Sequence, residues 1–137
     1  MSNKDRLNHG ELTILNAQAA TGAGTAVRVG AFQHAIIAIS SDGGAAANLT
    51  VNCQGSISDT APTWTGAQTR TNMWDYIHMW DLQNATGLAG DTGLAFAVAD
   101  DYRVFMVNVD GLQWLNFRVT AWVAGNVTVT CRLFSNL

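Results

Sequence analysis

After a polar opening, apolar and polar residues alternate with period two along much of the chain, in short segments divided by Gly, Asn and Asp. Alternation of this kind puts successive side chains on opposite faces of an extended strand, so each segment predicts a strand with one buried face. Strands are expected at residues 11–18, 25–30, 34–41, 48–56, 73–82, 94–98, 102–109, 113–123 and 126–134. The last two are the plainest. Leu115, Phe117, Val119, Ala121 and Val123 share one face, and Val127, Val129, Cys131 and Leu133 share a face of the next strand. The Ala124–Gly125 link, followed by Asn126, predicts a tight antiparallel return between them. Further turns are expected at 41–47, 84–93 and 109–111, where glycines supply positive φ. Residues 58–68, with the only proline, Pro62, predict a longer surface loop. Short strands at this spacing mark a sandwich or barrel. The expected fold is all-β, an antiparallel β-sandwich (jelly-roll-like) over residues 11–137, with a short extended polar arm over residues 1–10.

One stretch is ambiguous. In "NMWDYIHMWDLQN", residues 72–84, period two puts Trp74, Tyr76, His78 and Trp80 on one face and Met73, Asp75, Ile77, Met79 and Asp81 on the other. With period 3.6, Met73, Tyr76, Ile77 and Trp80 form a helical stripe that Asn72 can cap, so periodicity alone leaves both open. The surrounding strands favour a strand. An aromatic row on a strand is either a sugar-binding platform or a buried contact between packed surfaces. A platform needs polar groups beside the rings, yet the aspartates fall on the opposite face, so the packed reading is preferred. Large aromatic side chains concentrate at the centres of interfaces.

Composition changes the picture in one respect. Charged residues are only 12% of the chain, about half the usual share, and their place is taken by Ser, Thr, Asn, Gln and Gly. There is one lysine, Lys4, and one glutamate, Glu11. A polar but uncharged surface suits a chain largely covered by neighbouring subunits. The net charge of −3 and the scattered arginines offer no basic stripe, so no nucleic-acid or membrane partner is expected. The charged opening lacks the apolar core of a secretory signal, and no apolar run has the length of a membrane helix, so the chain is expected to be made and kept in a cytosol.

Candidate chemistry is sparse. Cys53 and Cys131 fall in phase with apolar neighbours and read as small core residues rather than a disulfide. Three scattered histidines with two cysteines make no zinc pattern. Asp75 and His78 would face opposite sides of a strand, so no nucleophile–base pair or paired carboxylates emerge, and no catalytic residues are expected. "GDTG" (90–93) and "ADDY" (99–102) lack the alternating acids of a calcium loop. No metal or cofactor is expected.

Two blocks carry a family resemblance. "LNAQAATGAGTAVRV" (15–29) and "DTGLAFAVADDYRVFMVNVDGLQWLNFRVTAWVAGNVTV" (91–129) resemble small β-sandwich structural proteins of tailed-bacteriophage virions, of the capsid decoration or cement type. Between them "QGSISDTAPTW" (54–64) is similar to a passage of these proteins, with Thr60 where the family has glycine. The resemblance implies a non-enzymatic virion component, made in the host cytoplasm and placed on the outer capsid surface. Its partners would be the major capsid protein and further copies of itself, with a trimer expected because capsids offer threefold positions. Tail, neck and carbohydrate-binding roles are the alternatives. The candidate interface comprises Lys4, Arg6 and His9 of the arm with Trp74, Tyr76, His78 and Trp80.

Overall fold

A computed structural model describes residues 6–41, 47–96 and 102–136, and within these the chain is all strand and loop. The strands are β1 (Arg6–Asn8), β2 (Leu12–Gln18), β3 (Gly22–Ala23), β4 (Val27–Arg28), β5 (His34–Ser41), β6 (Asn48–Ser56), β7 (Asp75–Tyr76), β8 (Met79–Asp81), β9 (Thr86–Leu88), β10 (Leu94–Phe96), β11 (Tyr102–Asn108), β12 (Trp114–Ala124) and β13 (Val127–Asn136). They form two antiparallel sheets packed as a sandwich. Sheet A runs β1-β13-β5-β11-β8-β9, with β2 sharing the outer edge of β13 with β1. Sheet B runs β10-β6-β12-β3, with β7 also on β6 and β4 also on β12.

The core is built by the alternation read from the sequence. Ala35, Ile37 and Ile39 of β5, Phe105 and Val107 of β11, and Val127, Val129, Cys131 and Leu133 of β13 point in from sheet A. Leu49, Val51 and Cys53 of β6, with Leu115, Phe117 and Val119 of β12, meet them from sheet B. Each fully buried side chain of this size stabilises the fold by roughly 1.5–3 kcal/mol. Both cysteines are free and buried, as their phase predicts.

Two expectations are corrected. The link after Ala124 does not close a hairpin: β12 pairs with β6 in sheet B, while β13 pairs with β5 and β2 in sheet A. Gly125, at φ 86°, turns the chain from one sheet to the other, so the two strands share a phase because they face each other across the core. The strand expected over 73–82 is broken in two, with β7 in sheet B and β8 in sheet A. Within the polar arm, Arg6–Asn8 pairs with Phe134–Asn136 at the edge of sheet A. Residues 1–5, and most of the expected 41–47 turn, lie outside the described residues.

Candidate interaction surfaces

The two sheets present different outer faces. Sheet B is capped: Asn52, Gln54 and Ser56 of β6 point away from the core yet are buried under the loop of residues 57–74 and the turn before β10, and Asn116 of β12 is buried with its amide donating to the Gly24 carbonyl at 3.1 Å. The covering backbone is bonded down residue by residue. The Gln54 amide donates to the Trp64 carbonyl at 2.8 Å, the Ser56 hydroxyl to the Met73 carbonyl, and the Trp114 indole to the Ser58 carbonyl at 3.0 Å. Asn52 donates to the Gly90 carbonyl at 2.8 Å. Aromatic and guanidinium groups fill the remaining space: Arg28 lies 4.3 Å over the Trp114 ring, and Arg118 lies 6.0 Å from the Trp74 ring.

Where this covering loop leaves β6, a cleft of about 670 Å³ opens at the end of the sandwich. Its floor is Trp74, Ile77 and Leu112, and Asp59, Arg70 and Asp75 stand among its lining residues. Gly55 lies under Ile77 and Leu112, and a side chain there would displace both. Ile57 also lines the cleft and is 77% exposed, an unusual place for a β-branched apolar residue.

Sheet A is open. Its outer face carries Ile36 and Ala38 of β5 and Val104 and Met106 of β11, half-buried, and beside them Trp80 (40% exposed), Leu82 (45%) and Tyr102 (64%). Both central strands are therefore apolar on their two faces, the composition of a strand covered on both sides.

The residues proposed from sequence are scattered by this fold. Lys4 lies outside the described residues, and Arg6 contributes backbone pairing to β1. His9 is exposed at one edge of sheet A, its ring edge-on to Phe32 at 6.3 Å. Trp74 is buried under the loop on sheet B, with Tyr76 edge-on to it at 4.8 Å. His78 and Trp80 sit together at the other edge of sheet A, where the imidazole occupies the space a side chain would take at Gly87. The single aromatic face expected for Trp74, Tyr76, His78 and Trp80 does not form, because the chain changes sheets between Tyr76 and Met79. Within the single chain Trp74 is packed, while His78 and Trp80 are exposed. Ile57, Leu82 and Tyr102 were not singled out by sequence. The signal for the sheet A face was present in "AIIAI" and "VFMV", continuous apolar runs where one solvated face would give alternation.

No protein-family model matches the chain, and no curated protein matches its sequence. Two proteins are among the solved structures that share its fold. One is the SPBc2 prophage-derived protein YomS, with a TM-score of 0.66 and 15% identity over 95% of each chain. The other is the PBSX exported protein XepA, with a TM-score of 0.68 and 13% identity over 95% of this chain, which spans 38% of XepA.

Among the described residues the carboxylate drawn furthest inside, Asp81, is engaged by the Arg103 guanidinium, the backbone N–H of Gln83 at 2.9 Å and the Asn84 amide at 3.1 Å, which together shape the β8–β9 turn. Among the described residues no group of three or more His, Cys, Asp or Glu side chains is placed to hold a metal ion. Burial pushes the Cys131 thiol up to about 11 and raises Cys53 further, the Cys131 thiol adding to the effect, so both are held as unreactive neutral thiols.

Proposed function

We propose that this protein is a non-enzymatic structural component of a tailed-bacteriophage virion, a capsid decoration protein that binds the outer shell and bridges capsomers. The observation that carries the reading is the presence of two separate exposed apolar surfaces, the end cleft beside Ile57 and the outer face of sheet A, on a chain with few charges. A cement protein has to hold neighbours at two places at once, and the second contact, once tethered by the first, adds affinity through its high effective concentration. Each bridge adds buried area that internal DNA pressure must break. The prophage origin of YomS, which shares the fold, and the likeness of residues 91–129 to virion sandwich proteins support the phage setting.

The exposed Trp80 and Tyr102 rings also suit stacking on a sugar, which favours a host-recognition module as the second reading. Quantitative mass spectrometry of purified particles, with the major capsid protein as reference, separates these. A copy number near that of the capsid protein is expected for decoration. A ratio far below it assigns the protein to the tail or neck, and absence from particles sinks the virion reading and leaves glycan-array binding as the next measurement.

A further inference from the structure

The outer face of sheet A has a projection and a depression that match. Trp80, Met106, Ile36 and Arg132 form one register row across β8, β11, β5 and β13. Trp80 stands out from one end of this row. Towards the other end lies a hollow of about 190 Å³ over Ile36, Ala38 and Val104, with Glu11 and Arg132 among its lining residues. Among the described residues the Glu11 and Arg132 side chains have neither an ion pair nor a hydrogen bond, and the Trp80 indole N–H has no acceptor.

We infer that this face is the contact between two copies of the chain, related by a twofold axis along β11, with the Trp80 indole of each copy seated in the hollow of the other. The register carries the argument. Met106 pairs with Trp80 on one side and with Ile36 on the other, each one strand spacing away, about 4.8 Å. Rotation by half a turn about an axis lying along β11 therefore carries Trp80 onto the position above the partner's Ile36, in the same row and at the hollow. Its charge chemistry is complementary as well. The incoming indole N–H meets the Glu11 carboxylate as acceptor, and the π face meets the Arg132 guanidinium, a favourable cation–π contact. An isologous contact makes each of these interactions twice and closes on itself. It buries the second apolar face of β5 and β11, which their continuous apolar sequences call for. The pairing is twofold in place of the threefold assembly expected from sequence.

This rests on the bridging role proposed above, with a second copy as the neighbour held by sheet A, and it is tested on purified full-length protein without particles, so the two readings fail separately. Sedimentation velocity over a concentration series is expected to show a dimer. Trp80→Ala should raise the dissociation constant at least tenfold with the circular dichroism spectrum unchanged, while Trp122→Ala, equally exposed but on sheet B, should leave it unaltered. Facing sheets lie about 10 Å apart, beyond the reach of a disulfide, so a cysteine on the axis, Met106→Cys, should be joined between chains by a short bismaleimide cross-linker, and Ile57→Cys should not. The cysteine pair decides the matter even if Trp80→Ala misfolds. A monomer at every concentration, a trimer, or a dimer indifferent to Trp80→Ala and uncrosslinked by Met106→Cys would overturn the inference. So would loss of particle or glycan binding by Trp80→Ala with self-association unchanged, which would assign the face to another partner.

Discussion

At the scale of single residues, Asp81 shows how this charge-poor chain uses a charge inside. It is the only buried acid among the described residues, and Arg103 and the β8–β9 turn supply its partners. Removing one member of such a pair leaves the other desolvated and uncompensated. Asp81→Ala is expected to lower stability by about 3 kcal/mol in urea titration, and a cycle with Arg103→Leu should show the two losses to be strongly non-additive. The cysteines make a second prediction. Their folded pKa values lie above those of the unfolded thiols, ordinarily about 8.5, because burial disfavours the thiolate. Above that pH the unfolded chain loses protons the folded chain keeps, so stability is fully present below about pH 8.5 and falls as pH rises towards 11. The slope should approach about 1.4 kcal/mol per pH unit per thiol. Urea midpoints between pH 8 and 10.5 check this, with the Cys53→Ala, Cys131→Ala double variant expected to show a shallower decline.

At the scale of elements, the covering loop over sheet B sets the shape of the end cleft. It has little secondary structure of its own and is held by side chains of β6 and β12 reaching up to its carbonyls. Gln54 is central, being wholly buried and bonded to the Trp64 carbonyl. Gln54→Leu keeps the side-chain bulk and removes the donor, leaving a part-buried carbonyl unpaired. The expected cost is about 1–2 kcal/mol. Hydrogen exchange should quicken in residues 58–66 while the amides of β5 and β13 keep their protection, a local loosening of the loop within an intact sandwich.

At the scale of the whole molecule, the placement of two contact surfaces matters more than either alone. The cleft lies at one end of the sandwich, where β6 ends and β12 begins, and the open face lies along the side of sheet A. Occupation of one leaves the other accessible, as bridging requires. Ile57→Asp puts a charge at the cleft without touching sheet A. It should weaken rebinding of the protein to stripped capsids at least tenfold while leaving self-association unchanged, measured by co-sedimentation and ultracentrifugation respectively. Equal loss in both assays would show that the two surfaces act as one.

The sequence by itself determined the class of fold, most strand positions and most of the core. Period-two burial is a local property, so His34–Ser41 and Asn48–Ser56 could be bounded to the residue and Cys53 and Cys131 assigned to the interior. Which strand lies beside which is not local. Phase alone cannot tell a hairpin neighbour from a strand facing across the core, so β12 and β13 read as a pair although they belong to different sheets. Segments of two residues such as β3 and β7 carry too few alternations to register as strands and exist because a long neighbour offers its edge. The candidate surfaces were least legible, because they depend on what covers what. Asn52, Gln54 and Asn116 alternate as solvent-facing residues and are buried with their amides bonded to the Gly90, Trp64 and Gly24 carbonyls, on separate segments whose paths only the tertiary structure decides. Trp74 and Trp80, six residues apart, end on different sheets because the chain crosses between them.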